Sequence, residues 1–275
     1  DLDGMMRERL RTTCTLEDVK DVDLVIEAVL EDMKVKQDIW KQLDATCPPH
    51  TVFGTNTSAL PITEMAEILK DPGRMIGLHF FNPAHRMQLL EVICAKKTSD
   101  QTLATSVAFA RAIKKIPIVV NDGPGFYVSR QLGGLMGGAV FLTADGVDGA
   151  FIEEAMVDFG MPMGPATLAD LTGIDINYHV NKTFEKRLGE RYKVHPLTEV
   201  VYRTGSYGRK TGAGYFDYSG EKPVPNQKVV DAVRQYLKQN NVAPKQVSKQ
   251  EVVDLMLANG INEAACMIQE GICDR

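Results

Sequence analysis

From residue 23 to residue 120 the chain alternates short apolar runs with longer stretches whose apolar positions recur every three or four residues. The first run, Asp23-Leu24-Val25-Ile26-Glu27-Ala28-Val29, is β-branched and bounded by polar residues, the pattern of a buried parallel strand. Residues 31–43 follow as a helix: Met33, Val35, Ile39, Trp40 and Leu43 fall roughly on one face, and Cys47-Pro48-Pro49 ends it. The same pattern predicts a strand at 51–54, a short helix at 62–69 after Pro61, strands at 75–80 and 88–93, a helix at 101–113 and a strand at 116–120. Strands alternating with helices predict an α/β fold with a doubly wound parallel sheet.

Beyond Asn121 the texture changes. Helical patterns cover 125–143, 149–158, 164–172, 174–187 and 197–204, with no strand among them, and a turn-rich stretch at 205–214 closes this helical domain. Ser219-Gly220-Glu221-Lys222-Pro223-Val224-Pro225 reads as a linker, followed by helical patterns at 226–239 and from 250 to the end. Three parts are therefore expected: an α/β domain at 1–120, a helical domain at 121–218, and residues 219–275. The glycine cluster Gly133-Gly134-Leu135-Met136-Gly137-Gly138 sits inside a helical pattern and reads as a close helix-packing surface. One weak internal repeat is visible, in which residues 138–147 match residues 263–272 in apolar pattern and terminal glycine.

Composition narrows the function. With 275 residues and 44% hydrophobic content the chain can bury real cores. A net charge of −5, with the charges scattered, provides no basic face for nucleic acid or anionic lipid, and neither partner is expected. No apolar stretch approaches the ~20 residues of a membrane-spanning helix, so no transmembrane segment is expected. Cys14, Cys47, Cys94, Cys266 and Cys273 form no Cys-x-x-Cys pair, and His50, His85, His179 and His195 show no ligand spacing, so neither disulfides nor a metal is expected. The chain begins at Asp1 and carries no targeting sequence to read.

The candidate chemistry lies in Gly77-Leu78-His79-Phe80-Phe81-Asn82-Pro83 and, twelve residues after the histidine, Glu91 within Leu89-Leu90-Glu91-Val92-Ile93. These segments put an imidazole, a carboxylate and an amide at the ends of two apolar runs. A histidine can take a proton from an alcohol if a carboxylate on its other ring nitrogen stabilises the imidazolium, so His79 and Glu91 are the candidate catalytic pair. Asn56-Thr57-Ser58 ends another apolar run and brings a hydroxyl and an amide to the same sheet edge, where open α/β sheets bind ligands.

In order and spacing, Asn-Thr-Ser, His-Phe-Phe-Asn-Pro, Glu91, Asp122-Gly123-Pro124-Gly125-Phe126 and Gly208-Arg209-Lys210-Thr211-Gly212-Ala213-Gly214-Tyr215-Phe216 resemble the 3-hydroxyacyl-CoA dehydrogenase family. Met87-Gln88-Leu89-Leu90-Glu91 and residues 184–192 resemble the multifunctional, trifunctional-enzyme type within it. The resemblance implies a Rossmann-type cofactor domain followed by an all-α C-terminal domain, and oxidation of (3S)-3-hydroxyacyl-CoA to 3-ketoacyl-CoA with NAD in fatty-acid β-oxidation. It assigns catalysis to His79, Glu91 and Ser58; cofactor contacts to Glu31, Lys36, Ser58, Asn82 and Lys210; and substrate contacts to Ser58, Asn82 and Ser129. Each has a plainer alternative: a capping serine, a turn asparagine, charges at a helix start, a solvated loop lysine. Ser129 stands where monofunctional members carry asparagine, which leaves one hydroxyl in place of an amide.

The family's Gly-x-Gly-x-x-Gly phosphate loop does not occur in these residues. By comparison with the family, the first strand, that loop and the acidic ribose-binding residue would precede Asp1. The sheet is then expected to be truncated, these 275 residues to be inactive alone, and residues 219–275 to begin a second helical repeat. The exposed edge of a truncated sheet favours association between chains, so a homo-oligomer is expected, and the resemblance further implies a thiolase subunit as partner of the parent protein and a mitochondrial or alternatively peroxisomal location. A competing reading is a non-catalytic acyl-CoA-binding or assembly module, against which the intact Ser58, His79, Glu91 set argues. Another is a hydroxyacid dehydrogenase, which would place a catalytic lysine in its helical domain.

Overall fold

The structure, a computed structural model, describes residues 2–274, which form two compact units: residues up to Phe126 together with Ile272–Asp274, and Tyr127–Gly271. In the first unit, helix α1 (Leu2–Arg9) is followed by β1 (Leu24–Glu27), α2 (Met33–Thr46), β2 (Val52–Thr55), α3 (Ile62–Ala66), β3 (Met75–Phe80), β4 (Leu89–Cys94), α4 (Asp100–Ala112) and β5 (Ile116–Asn121). The five strands form one sheet in the order β1-β2-β3-β4-β5. Three of its four pairings are parallel, and β3 with β4 is antiparallel. Parallel pairing dominates the sheet, as the α/β expectation has it, with one antiparallel pair. Residues 81–88 join β3 to β4, fewer than the dozen or so that a parallel crossover requires, so the chain turns back on itself.

Alternation along the strands sends side chains to both faces. Val52, Ile76, Leu78, Leu90 and Val92 pack with Ala110 of α4 and its partly buried neighbours Leu103, Val107 and Phe109. On the other face Phe53 meets Trp40 of α2, ring centroids 5.1 Å apart. Each large apolar side chain buried this way contributes roughly 1.5–3 kcal/mol relative to exposure. Gly77 allows α3 to lie close against the sheet, since a Cβ there would sit 2.8 Å from Ile93 Cδ1 and collide with Ile62. Asp32 caps α2 by accepting from the Val35 N–H at 2.9 Å, and Ser99 caps α4 from Thr102 at 3.2 Å.

The second unit contains α5 (Val128–Ala144), α6 (Gly149–Phe159), α7 (Pro165–Thr172), α8 (Ile174–Leu188), α9 (Pro196–Tyr202), the short pair β6 (Phe216–Asp217) and β7 (Val224–Pro225), α10 (Gln227–Gln239) and α11 (Lys249–Gln269). Its main core joins Leu142, Val147, Ile152, Ala155 and Met156 to Val252, Val253 and Met256 of α11, and a second cluster joins Ile174, Val201 and Val229. Residues after 219 thus contribute to this unit's interior. Two local readings change. Helix α5 starts three residues later than the pattern suggests, because Gly125 (φ 72°) and Phe126 (φ 53°) are left-handed and cannot continue a right-handed helix. The linker at 219–225 joins β6 to β7 and contains the latter, and these antiparallel strands are too short to leave a periodic signal.

The glycine-rich face of α5 is a packing surface. A Cβ at Gly134 would lie 2.9 Å from Glu263 Cβ, and one at Gly138 would lie 2.9 Å from the Met256 Cα, so α5 and α11 approach as only glycine permits. Across the same contact, fully buried Arg130 donates from Nε to Glu263 (2.7 Å) and from Nη1 to Glu270 (2.6 Å), while Arg191 pairs with both acids. The two segments of the internal repeat both end in left-handed glycines, Gly146 (φ 93°) and Gly271 (φ 72°).

Candidate active site

Strands β1, β2 and β3 are parallel, so their C-terminal ends share one edge of the sheet. At that edge the β3–β4 register sets His79 directly opposite Glu91. Their side chains meet at 2.8 Å, Nδ1 to Oε2, with His79 4% exposed and Glu91 fully buried. The Phe81 ring lies 4.5 Å and the Phe126 ring 5.9 Å from the imidazole, centroid to centroid. Phe126 reaches this place from a left-handed backbone, unusual for a bulky residue and a conformation that recurs at functional sites. The Nε2 edge makes no hydrogen bond among the described residues. An imidazole whose Nδ1 is held by a carboxylate is oriented to use Nε2 as a base, and the carboxylate favours the charged ring that results.

Beside it lies a polar network built on Glu27, the last residue of β1. Its carboxylate accepts from Lys36 Nζ, Thr55 Oγ1 and the Val29 N–H, each at 2.7 Å. Lys36 also pairs with Glu31 at 3.2 Å. One oxygen of Glu31 then accepts from the Thr57 hydroxyl (2.5 Å) and from the N–H groups of Ser58 (2.9 Å) and Ala59 (3.3 Å). Glu31 therefore shapes the turn that presents Ser58, and Lys36 is buried within the ion network. The Ser58 side chain is exposed and makes no hydrogen bond among the described residues. Asn56 Oδ1 accepts from the Phe80 N–H at 2.8 Å, tying this turn to the end of β3 beside His79.

Asn82 is exposed at the start of the β3–β4 connection, before a cis Asn82–Pro83 bond. That connection is anchored by Lys115, whose ammonium donates to the carbonyls of Ala84 and Met87 (the latter at 2.6 Å). Ser58, His79, Asn82, Glu91, Glu31 and Lys36 all belong to the first unit. Ser129 and Lys210 belong to the second. Ser129 is half-buried in the first turn of α5, and Lys210 pairs with Asp175 at 2.6 Å. Burial disfavours the Asp175 carboxylate, but its bonds to Lys210 and to the backbone outweigh that and hold its pKa below the ordinary value.

Sequence reasoning assigned no role to Glu27, Asp122 or Lys115. An acid inside the apolar run Leu24-Val25-Ile26-Glu27 was the available signal for the first, since a charge in a buried strand needs a partner. Asp122 accepts from the Ile62 N–H (3.1 Å) and the Thr63 N–H (2.7 Å), a contact across sixty residues with no local signature.

Two family models match consecutive parts of the chain. Residues 3–123 match the family model of the 3-hydroxyacyl-CoA dehydrogenase NAD binding domain, and residues 125–218 match that of the 3-hydroxyacyl-CoA dehydrogenase C-terminal domain. Among curated proteins, the chain is 40% identical over 265 residues to the fatty acid oxidation complex subunit alpha of Shewanella baltica, covering 96% of this chain and 37% of that protein. It is 43% identical over 222 residues to the subunit of the same name from Shewanella loihica, covering 81% and 31%. The chain thus spans about a third of the length of the curated relatives it matches. Among solved structures, 3-hydroxybutyryl-CoA dehydrogenase from Escherichia coli K12 superposes with a TM-score of 0.84 at 25% identity, covering 97% of this chain and 72% of that one. The dehydrogenase part of multifunctional enzyme 1 from C. elegans gives 0.67 at 30% identity, covering 99% and 62%. The curated relatives are bacterial, and bacteria have neither mitochondria nor peroxisomes, which overturns the organellar location expected from the sequence. By two consecutive family models and these relatives, the chain belongs to the 3-hydroxyacyl-CoA dehydrogenase family.

Proposed function

We propose that this chain carries the dehydrogenase site of an enzyme that oxidises the 3-hydroxyl of an acyl-CoA to a ketone with NAD, a step of fatty-acid oxidation. The observation that carries the proposal is the buried 2.8 Å pair of His79 and Glu91 at the strand ends, with Nε2 left for substrate. His79 removes the hydroxyl proton through Nε2. Glu91 stabilises the imidazolium and fixes the ring. The exposed Ser58 hydroxyl donates to or accepts from the substrate oxygen, and Asn82 supplies an amide. Bound NAD would supply the acceptor for the hydride leaving C3.

The residues present fit the nicotinamide end of such a cofactor: the Ser58 hydroxyl, the Asn82 amide and the half-exposed carboxylate of Glu31 follow the C-terminal ends of β2, β3 and β1 and are polar groups open to a ligand. No glycine-rich phosphate loop occurs among the 275 residues, so none of these residues is assigned to the pyrophosphate. Ser129 and Lys210 are proposed as contacts from the helical unit, the first to substrate and the second to cofactor.

The test is Glu91→Gln in the enzyme that carries this chain, assayed by acetoacetyl-CoA-dependent NADH oxidation. Loss of the carboxylate is expected to lower kcat by ~10²–10⁴-fold with little change in KM. A variant with wild-type turnover would remove Glu91 from the mechanism.

A further inference from the structure

Between the end of β2 and the start of α3, almost every backbone N–H is satisfied by a side chain and not by other backbone. The Thr57 N–H donates to Thr55 Oγ1 (3.4 Å), those of Ser58 and Ala59 to Glu31, and that of Leu60 to Thr57 Oγ1 (3.1 Å). Pro61 has no N–H to place. The N–H groups of Ile62 and Thr63 go to the two oxygens of Asp122, at 3.1 and 2.7 Å. Such a segment has no intrinsic reason to hold one shape, because its hydrogen bonds come from groups elsewhere in the fold. Two carboxylates, one at each end, define it. The hydroxyl of Ser58 stands between them, exposed and uncommitted.

Asp122 is placed to do more than cap a short helix. Its own N–H donates to the Cys94 carbonyl at 2.9 Å, which fixes it at the end of β4, the strand that carries Glu91. Four residues later the same segment turns through left-handed Gly125 and Phe126 and sets the buried Phe126 ring against His79. A single stretch, Asp122 to Phe126, thus touches both the start of α3, which directly follows the Ser58 turn, and the ring of the base. We infer that Asp122 is a positioning residue for catalysis, holding the Ser58 hydroxyl in register with His79 Nε2 by gripping the Ile62 and Thr63 amides. This rests on the dehydrogenase reading given above.

Asp122→Asn removes one of the two acceptors and turns an NH₂ toward a backbone N–H, donor against donor. Asp122→Glu keeps both acceptors on an arm one methylene longer, so the turn must shift to keep its bonds. If Asp122 acts through Ser58, Asp122→Asn lowers kcat by roughly 10²-fold in the otherwise native enzyme, the scale of a misplacement near 1 Å. In a Ser58→Ala background the same change then costs no more than about threefold, because the group being positioned is already gone. Asp122→Glu lowers kcat while leaving thermal unfolding near that of the native protein. Hydrogen exchange gives a readout independent of turnover: in Asp122→Asn the Ile62 and Thr63 amides exchange about tenfold faster or more, while the amides of β3 remain protected. Equal losses in both backgrounds, or unchanged exchange at Ile62 and Thr63, would overturn the inference. Should His79→Gln retain full turnover, the dehydrogenase reading itself fails, and the exchange measurement still decides whether Asp122 holds the turn.

Discussion

Replacing Lys36 by methionine should cost the first unit about 3–5 kcal/mol, the range for stranding one member of a buried ion pair. The side chains of Lys36 and Glu27 are each 1% exposed and 2.7 Å apart, so solvent screens neither partner. Methionine approximates the lysine stem in shape and carries neither charge nor a donor, so the change removes the ammonium with little change in packing. Glu27 keeps its bonds from Thr55 and Val29 but has no counter-ion, and Glu31 loses the contact that steadies it against the Ser58 turn. Adding Glu27→Gln should recover all but about 1–2 kcal/mol, because a neutral amide can accept from Val29 and donate to Thr55, and replacing both partners of a buried pair is close to neutral. Urea unfolding followed by tryptophan fluorescence reads this directly. Trp40 is the only tryptophan, is fully buried, and lies on α2 one turn beyond Lys36. A loss below about 1 kcal/mol for Lys36→Met, or a double variant less stable than the single one, would refute an ion network as the support of this edge.

Two further outcomes concern the helical unit. Gly138→Ala should destabilise it by about 1–3 kcal/mol, because the added methyl falls 2.9 Å from the Met256 backbone, whereas Gly137→Ala, with nothing within 4 Å, should be neutral or stabilising by up to about 1 kcal/mol in thermal melts followed by circular dichroism. His195 caps α9 by accepting the Leu197 N–H on Nδ1 at 3.2 Å, which requires the neutral ring, and burial holds its pKa below the ordinary 6.5. A lowered folded pKa means that stability is intact above pH 6.5 and is lost as pH falls through the folded value. The loss should be on the scale of one cap, ~1 kcal/mol, and His195→Asn should flatten this slope while keeping the cap.

What could be read from the sequence was local. Strand β1 and helix α2 were legible because a β-branched run and a one-faced apolar pattern are set by neighbours a few residues apart. His79 and Glu91 were legible as a pair because both sit on strands whose ends were marked, so a spacing of twelve residues became a register. The antiparallel turn between β3 and β4 hid in the length of the 81–88 connection. The helical pattern runs through Phe126 because its left-handed backbone has no compositional mark beyond the glycine before it. The Asp122 grip on Ile62 and Thr63, and the burial of Arg130 between Glu263 and Glu270, join residues whose separation leaves no periodic trace. Such contacts follow from tertiary packing, where a buried charge must find its partner wherever the chain brings one.

The role of His79 as general base is tested most directly by single-turnover kinetics of His79→Gln, with the enzyme saturated in NAD and a 3-hydroxyacyl-CoA. Glutamine keeps approximate volume and a hydrogen-bond partner for Glu91 but cannot take up a proton at neutral pH. The account predicts that the rate of NADH formation falls at least ~10²-fold while substrate binding and thermal stability stay near those of the native protein. NADH formation at the native rate would contradict it.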